Sequence, residues 1–306
     1  MQFVDVKADI AFKKIFGSEQ HTEILIGFLN AVLELQGDRC IKSVTLKNPW
    51  QPPDIAILKE TILDIRAIDN RGVTFIVEMQ IKDTKSFGKR AIYYTSKAYT
   101  SQIKTGEDYP KLNQVIFIGI LDFNSFEGDS YLTRHLILNR ETLKQELTDL
   151  EFNFIELPKF NKREEELETI IEKWLYFLKN TDELEMIPQC AVEIPELNEA
   201  YNLAAKSAWS ENELDIYDYW QIRDAEDRYK SLEDFEKGKL EGKEEGREEG
   251  REVGREEGRE VGREEGREVG IEQGKIEVAH KLIAKGMSVE EAADIAGVAV
   301  ENLRNG

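Results

Sequence analysis

The chain has 306 residues, enough for one or two domains with a sizeable core, and its 61 acidic residues outnumber its 41 basic ones by 20. Hydrophobic residues at 41% and aromatic residues at 9% exclude a disordered polyelectrolyte, and a pI of about 4.8 argues against a polyanionic partner. That second argument fails locally: residues 1–120 hold 16 Lys and Arg against 14 Asp and Glu, so the acidity belongs to the rest of the chain.

In chain order, apolar spacing predicts a helix over Ala8 to Phe16 and a second over Ile24 to Leu35, with Thr22 as its cap. Pro49, Pro52 and Pro53 then break the chain ahead of a β-rich stretch. Ile62 to Asp69 and Val73 to Lys82 alternate and are β-branched, as half-buried strands are. Ser86 to Thr105 reads as a helix stopped by Gly106, and Gln114 to Leu121 as a fully buried strand. Further strands are expected at Tyr131 to Leu138 and Phe152 to Leu157, giving an α/β or α+β core over residues 1–160. Helices at Glu164 to Leu178, Pro195 to Ala208 and Glu211 to Glu236 make residues 161–237 a helical subdomain.

From Gly238 to Gly274 a glycine recurs every four residues, within an eight-residue unit GREVGREE. The segment 238–274 reads either as an extended helix that self-associates or spaces the tail, or as a charged linker. Its Arg and Glu content excludes a membrane-packing GxxxG role. Residues 275–306 resemble a helix-turn-helix, with Ser288 as a cap and Glu291 three residues on. The last helix offers Glu301 and Arg304 and little else charged, so a folding or protein-contact unit is favoured over a DNA reader.

Other classes fall away quickly. The N-terminal MQFVDVKADIAFKK has no apolar leader core, and the longest apolar run is well short of the roughly 18 residues of a membrane helix. These features predict a soluble, cytoplasmic protein without a membrane partner. Cys40 and Cys190 stand alone and predict reduced thiols, while His21, His135 and His280 lack metal-ligand spacing.

The most informative segment is the hairpin around Asp69-Asn-Arg-Gly72. A three-residue loop, Asn70 to Gly72, places Gly72 at the left-handed position and sets Asp64 opposite Glu78, Arg66 opposite Ile76 and Ile68 opposite Thr74. Like charges facing each other across a sheet destabilise it unless a cation lies between them. A divalent cation is the simplest answer, since hard ions such as Mg²⁺ take carboxylate oxygens and keep waters, one of which can become a nucleophile. Gln80 and Lys82 share the face of Glu78, placing Gln80 to orient a water and Lys82 to stabilise charge on a phosphate. An exposed face with Asp64, Arg66, Glu78 and Lys82 in ordinary surface pairs is the alternative.

The order Asp64, short hairpin, Glu78-Met79-Gln80 resembles the PD-(D/E)XK nuclease superfamily, with Gln where Lys is usual. More closely, four blocks in order are similar to the recombination-promoting nuclease and transposase family. They are Asp9-Ile-Ala-Phe-Lys-Lys-Ile-Phe-Gly17, Leu63-Asp-Ile-Arg-Ala67, Glu78-Met-Gln80 and Lys89-Arg-Ala-Ile-Tyr-Tyr94. The similarity spans most of the chain, since such proteins also tend to end in a glycine-repeat helix. The resemblance implies a mixed sheet flanked by helices and a metal-dependent DNA endonuclease using Mg²⁺ or Mn²⁺. In it Asp64 and Glu78 bind metal and Gln80 fills the third motif position. Gln carries no positive charge, so Lys82 substitutes, the metal alone activates water, or activity is lost. A catalytically weak DNA-binding or assembly protein on a nuclease-like scaffold and a strand-transferring transposase are the alternatives.

The stretch from Lys82 to Lys111 carries seven basic residues against three acidic ones. On a helix, Arg90, Tyr94, Lys97, Ser101 and Lys104 lie along one face, and with Lys85 and Lys89 they suit DNA phosphates. A solvated helix face is the alternative. Contacts to backbone predict little sequence preference and steep salt dependence. Asp9, Lys13 and Lys14 lie near the site by the same resemblance, or are surface charges of the first helix.

Overall fold

The apolar run at Val115–Leu121 becomes a central strand of a six-stranded sheet, buried along its whole length as a strand covered on both faces must be. The computed structural model describes residues 2–48, 50–51, 61–83, 86–104 and 106–304. Its strands in chain order are β1 (Val44–Leu46), β2 (Trp50–Gln51), β3 (Thr61–Ile62), β4 (Ile65–Asp69), β5 (Thr74–Gln80), β6 (Val115–Leu121), β7 (Leu132–Leu136) and β8 (Leu150–Glu156). The large sheet has the order β1-β4-β5-β6-β8-β7, and β2 pairs with β3 separately. The β5–β6 and β6–β8 pairs are parallel, and the remaining pairs of the large sheet are antiparallel. The proline break expected at Pro49, Pro52 and Pro53 lies outside the described residues.

The helices are α1 (Asp9–Phe16), α2 (Thr22–Val32), α3 (Phe87–Thr100), α4 (Ile170–Asn180), α5 (Gln189–Val192), α6 (Pro195–Ala204), α7 (Glu211–Ile283), α8 (Val289–Ala296) and α9 (Val300–Arg304). Strand alternation divides the sheet between two cores. Phe75, Val77, Ile116, Ile118 and Ile120 face α1, α2, α4 and α6, where Phe12, Phe16, Phe28, Trp174 and Phe177 form an aromatic cluster. Ile76, Phe117 and Phe154 face α3, meeting Phe87, Ala91 and Ala98. Gly119 makes this second layer close: a Cβ there would lie 3.0–3.1 Å from the rings of Phe154, Phe117 and Phe87. Gly119 is also the register partner of Glu78, so α3 is seated tightly beside the carboxylate.

The structure shortens several predicted elements. The third helix ends at Thr100 rather than Thr105, because the Gln102 amide exchanges two hydrogen bonds with the backbone of Asn113 (2.9 and 2.7 Å) and turns the chain toward β6. Lys104 and Ser101 therefore lie outside that helix, with Ser101 as its C-cap. The helix expected from Glu164 begins at Ile170, where Thr169 and Glu172 close a capping box. Its predecessor Glu164–Glu166 is a single 3-10 turn.

By contact the chain divides into two compact units, residues 1–224 and 225–306. Within the first, α4 and α6 share one buried cluster with α1, α2 and the sheet. Within the second, α8 and α9 close on the end of α7 through Ala279, Ala293 and Leu303. The Ser288–Glu291 capping box starts α8, and Gly297 ends it in the left-handed conformation. Helix α7 runs through the glycine repeat as one element of 73 residues. No helix among the described residues is long and apolar enough to cross a membrane.

Candidate active site

The β4–β5 hairpin has the register expected from its turn. Arg66 pairs with Ile76 and Ile68 with Thr74, while Gly72 adopts a φ of +86° in the three-residue loop. The last ladder pair is Ile65–Val77, and one step beyond it Asp64 and Glu78 face each other. Backbone pairing stops at this step and the side chains replace it. The Asp64 N–H donates to Glu78 Oε1 (3.1 Å), and the Met79 N–H donates to Asp64 Oδ2 (2.8 Å). Each carboxylate thus engages one oxygen with the opposite strand. Among the described residues, the second oxygens stay clear of hydrogen bonds, Asp64 Oδ1 lying 3.8 Å from Lys13 Nζ.

Burial makes this pair reluctant to hold two negative charges. Glu78 is 8% exposed, and its pKa is pushed up to about 8, first by burial and then by the charge of Asp64. The Asp64 N–H, Arg90 and Lys13 oppose that rise. Asp64 is also raised, chiefly by burial, against the lowering effects of the Met79 N–H and Lys13. At neutral pH Glu78 keeps its proton, so the pair does not carry two negative charges.

Helix α1 delivers Lys13 to Asp64 and ties it to Asp9 (2.6 Å). Lys14, one residue on, points elsewhere: it bonds Glu213 (2.7 Å) and lies over the Trp209 ring, anchoring the start of α7. Helix α3 delivers Arg90, whose Nη2 donates to Gln80 Oε1 at 2.6 Å and whose guanidinium lies over Phe87. Tyr94, one turn along, bonds Arg90, and burial followed by the nearby charge of Glu78 raises its phenol. Lys97 continues along α3 half-buried, whereas Lys89 and Lys104 are exposed. Lys82 sits half-buried in the bend two residues after β5, and Lys85 lies outside the described residues.

The sequence placed Arg90 among DNA contacts, but its bond to Gln80 was not legible there, because it joins a strand end to a helix ten residues on. The donor set available to a metal is the carboxylate pair; no cluster of three or more His, Cys, Asp or Glu side chains occurs among the described residues. Two hard oxygens from a partly desolvated pair suit an ion that keeps most of its water, as Mg²⁺ does.

The chain matches the model of a family described as PD-(D/E)XK nuclease family transposase over residues 6–234. No curated protein and no solved structure matches it. With the family model covering the sheet, both carboxylates and the helices on either face, the chain belongs to the PD-(D/E)XK nuclease family transposases.

Proposed function

We propose that the chain is a metal-dependent DNA endonuclease hydrolysing phosphodiester bonds at Asp64 and Glu78. The observation that carries this reading is the facing, half-desolvated carboxylate pair with one oxygen of each side chain left clear of the opposing backbone. Asp64 Oδ1 and Glu78 Oε2 would hold Mg²⁺ or Mn²⁺. When bound, such an ion stabilises charge on a phosphate and lowers the pKa of water.

The remaining chemistry belongs to the chain's own side chains. Glu78 releases its proton as the cation binds. Arg90 fixes the Gln80 carbonyl oxygen, so the Gln80 amide N–H groups are left to donate to a water or a phosphate oxygen. Arg90 also brings to this position the positive charge that Gln80 lacks, which makes it a stronger candidate than Lys82 for stabilising the charge that develops on the phosphate. Lys97, Lys89 and Lys104, along and beyond α3, would contact the DNA backbone, with little sequence preference.

Supercoiled-plasmid cleavage tests the reading. Nicking is expected with Mg²⁺ or Mn²⁺, none in EDTA, and none by Asp64→Ala or Glu78→Ala. Metal-independent cleavage or full activity in both variants overturns it, and DNA bound without nicking favours a non-cleaving assembly protein. The family description also names transposition, so covalently joined strands in an assay with oligonucleotide ends would favour a strand-transferring enzyme. Self-association through the glycine repeat is a separate proposal, read from the solution mass of the full chain against one stopped after Lys237.

A further inference from the structure

Along the edge of β4 the β1–β4 ladder stops before Asp64. The ladder ends at Leu46–Ala67, the Lys47 N–H makes one more bond to the Arg66 carbonyl oxygen (2.8 Å), and antiparallel pairing resumes in β2 and β3 at Trp50–Ile62. A cavity of about 270 Å³ occupies this edge, bounded by Lys13 and Gly17 of the α1 end, Lys47, Asp64 and Arg66. Three of its side chains are cationic and one is the candidate metal ligand.

Arg66 is the unusual member. Its Nε is buried and has no hydrogen-bond partner, and it forms no salt bridge among the described residues. A buried guanidinium donor left unpaired costs free energy that a protein normally avoids. Arg66 lines the same cavity as Asp64, two residues away, yet forms no ion pair with that carboxylate. Lys13 is already engaged with Asp9 and Asp64, whereas Lys47 is exposed and has no ion pair among the described residues. A planar fork beside a flexible ammonium, both without an acid, is the recognition chemistry of a phosphate oxygen pair.

We propose that this cavity receives a phosphodiester of the bound DNA strand adjacent to the one that is cleaved, held by Arg66 and Lys47. The proposal rests on the nuclease reading of Asp64 and Glu78, and extends the DNA path from α3 across the hairpin to the cavity between Lys47 and Arg66. A strand held at both Arg66 and Arg90 would be fixed across the carboxylate pair, which is what positioning of the reacting bond requires.

Binding of a 20-base-pair duplex in EDTA, measured from 50 to 300 mM salt, tests the site without cleavage. Arg66→Gln and Lys47→Gln are each expected to weaken binding by about tenfold at low salt and to reduce the slope of log affinity against log salt by about one. Lys285→Gln in the tail should change neither. Thermal unfolding of each variant separates lost contact from lost fold, and Lys47→Gln, on an exposed residue, keeps the test open if Arg66→Gln unfolds. Unchanged affinity and slope in folded variants overturn the site, as does a wild type that binds no duplex. If both variants weaken binding while Asp64→Ala and Glu78→Ala nick plasmid like the wild type, the catalytic reading fails and the phosphate site stands.

Discussion

Burial and the facing Asp64 keep the Glu78 carboxyl protonated to about pH 8, whereas the unfolded chain loses that proton near pH 4.5. The native state therefore binds the extra proton between these values, and its contribution to stability, complete below pH 4.5, is lost as pH rises through 8. In EDTA the thermal midpoint of the wild type should fall across this window, and Glu78→Gln should flatten the fall. Mg²⁺ should raise the midpoint more at pH 8 than at pH 6, with a proton released on binding detectable by calorimetry in buffers of different ionisation enthalpy. At Arg90, replacement by Met removes both the charge and the bond to Gln80, so cleavage should drop by about a hundredfold or more, while Lys82→Ala should cost less. Equal losses at both positions would return Lys82 to the role expected from the strand face.

Elements matter because they bring these residues within reach. The hairpin register was legible in the sequence, since Asn70-Arg71-Gly72 specifies the loop and a slip of one residue would turn Ile65 and Val77 away from their core. The seat of α3 was not, because it depends on Gly119 of β6 and on the rings of Phe87, Phe117 and Phe154, which come from three separate elements and converge there. Gly119→Ala should cost about 1–3 kcal/mol by overpacking and should lower cleavage by shifting Arg90. A destabilised variant with unchanged cleavage would show that α3 tolerates the shift. On the opposite layer, burial would raise the Glu172 carboxyl, but hydrogen bonds from Lys162, Glu168 and Thr169 win and bring it down to about 2. Its stabilising contribution is present above pH 4.5 and is lost as pH falls toward 2, so Glu172→Gln should blunt the acid limb of unfolding.

At the scale of the whole molecule, α7 poses the sharpest energetic question. Ten glycines oppose a helix by roughly 10 kcal/mol relative to alanine, and charged pairs along it return a few tenths each. Among the described residues, a side chain added at any repeat glycine would meet nothing within 4 Å. Replacing four of these glycines by alanine should therefore raise helicity by circular dichroism and leave the unfolding midpoint of residues 1–224 unchanged. A lowered midpoint would mean that the repeat supports the core. The acidic balance bears on DNA in the same local way, since the carboxylate pair lies in the near-neutral N-terminal part and is flanked by Lys13, Arg66 and Arg90.

By itself the sequence determined what short-range patterns encode: the hairpin register, the facing Asp64 and Glu78, the buried β6 and the Ser288 cap. Each follows from period-two alternation, turn chemistry or capping, which act over a few residues. Tertiary structure decided the rest. It ended α3 at Thr100 through Gln102 and Asn113, sent Lys13 to the site and Lys14 away from it, bonded Arg90 to Gln80, and left the buried Arg66 Nε without a hydrogen-bond partner. Those outcomes depend on contacts between separate segments of the chain, and neither spacing nor propensity carries that information.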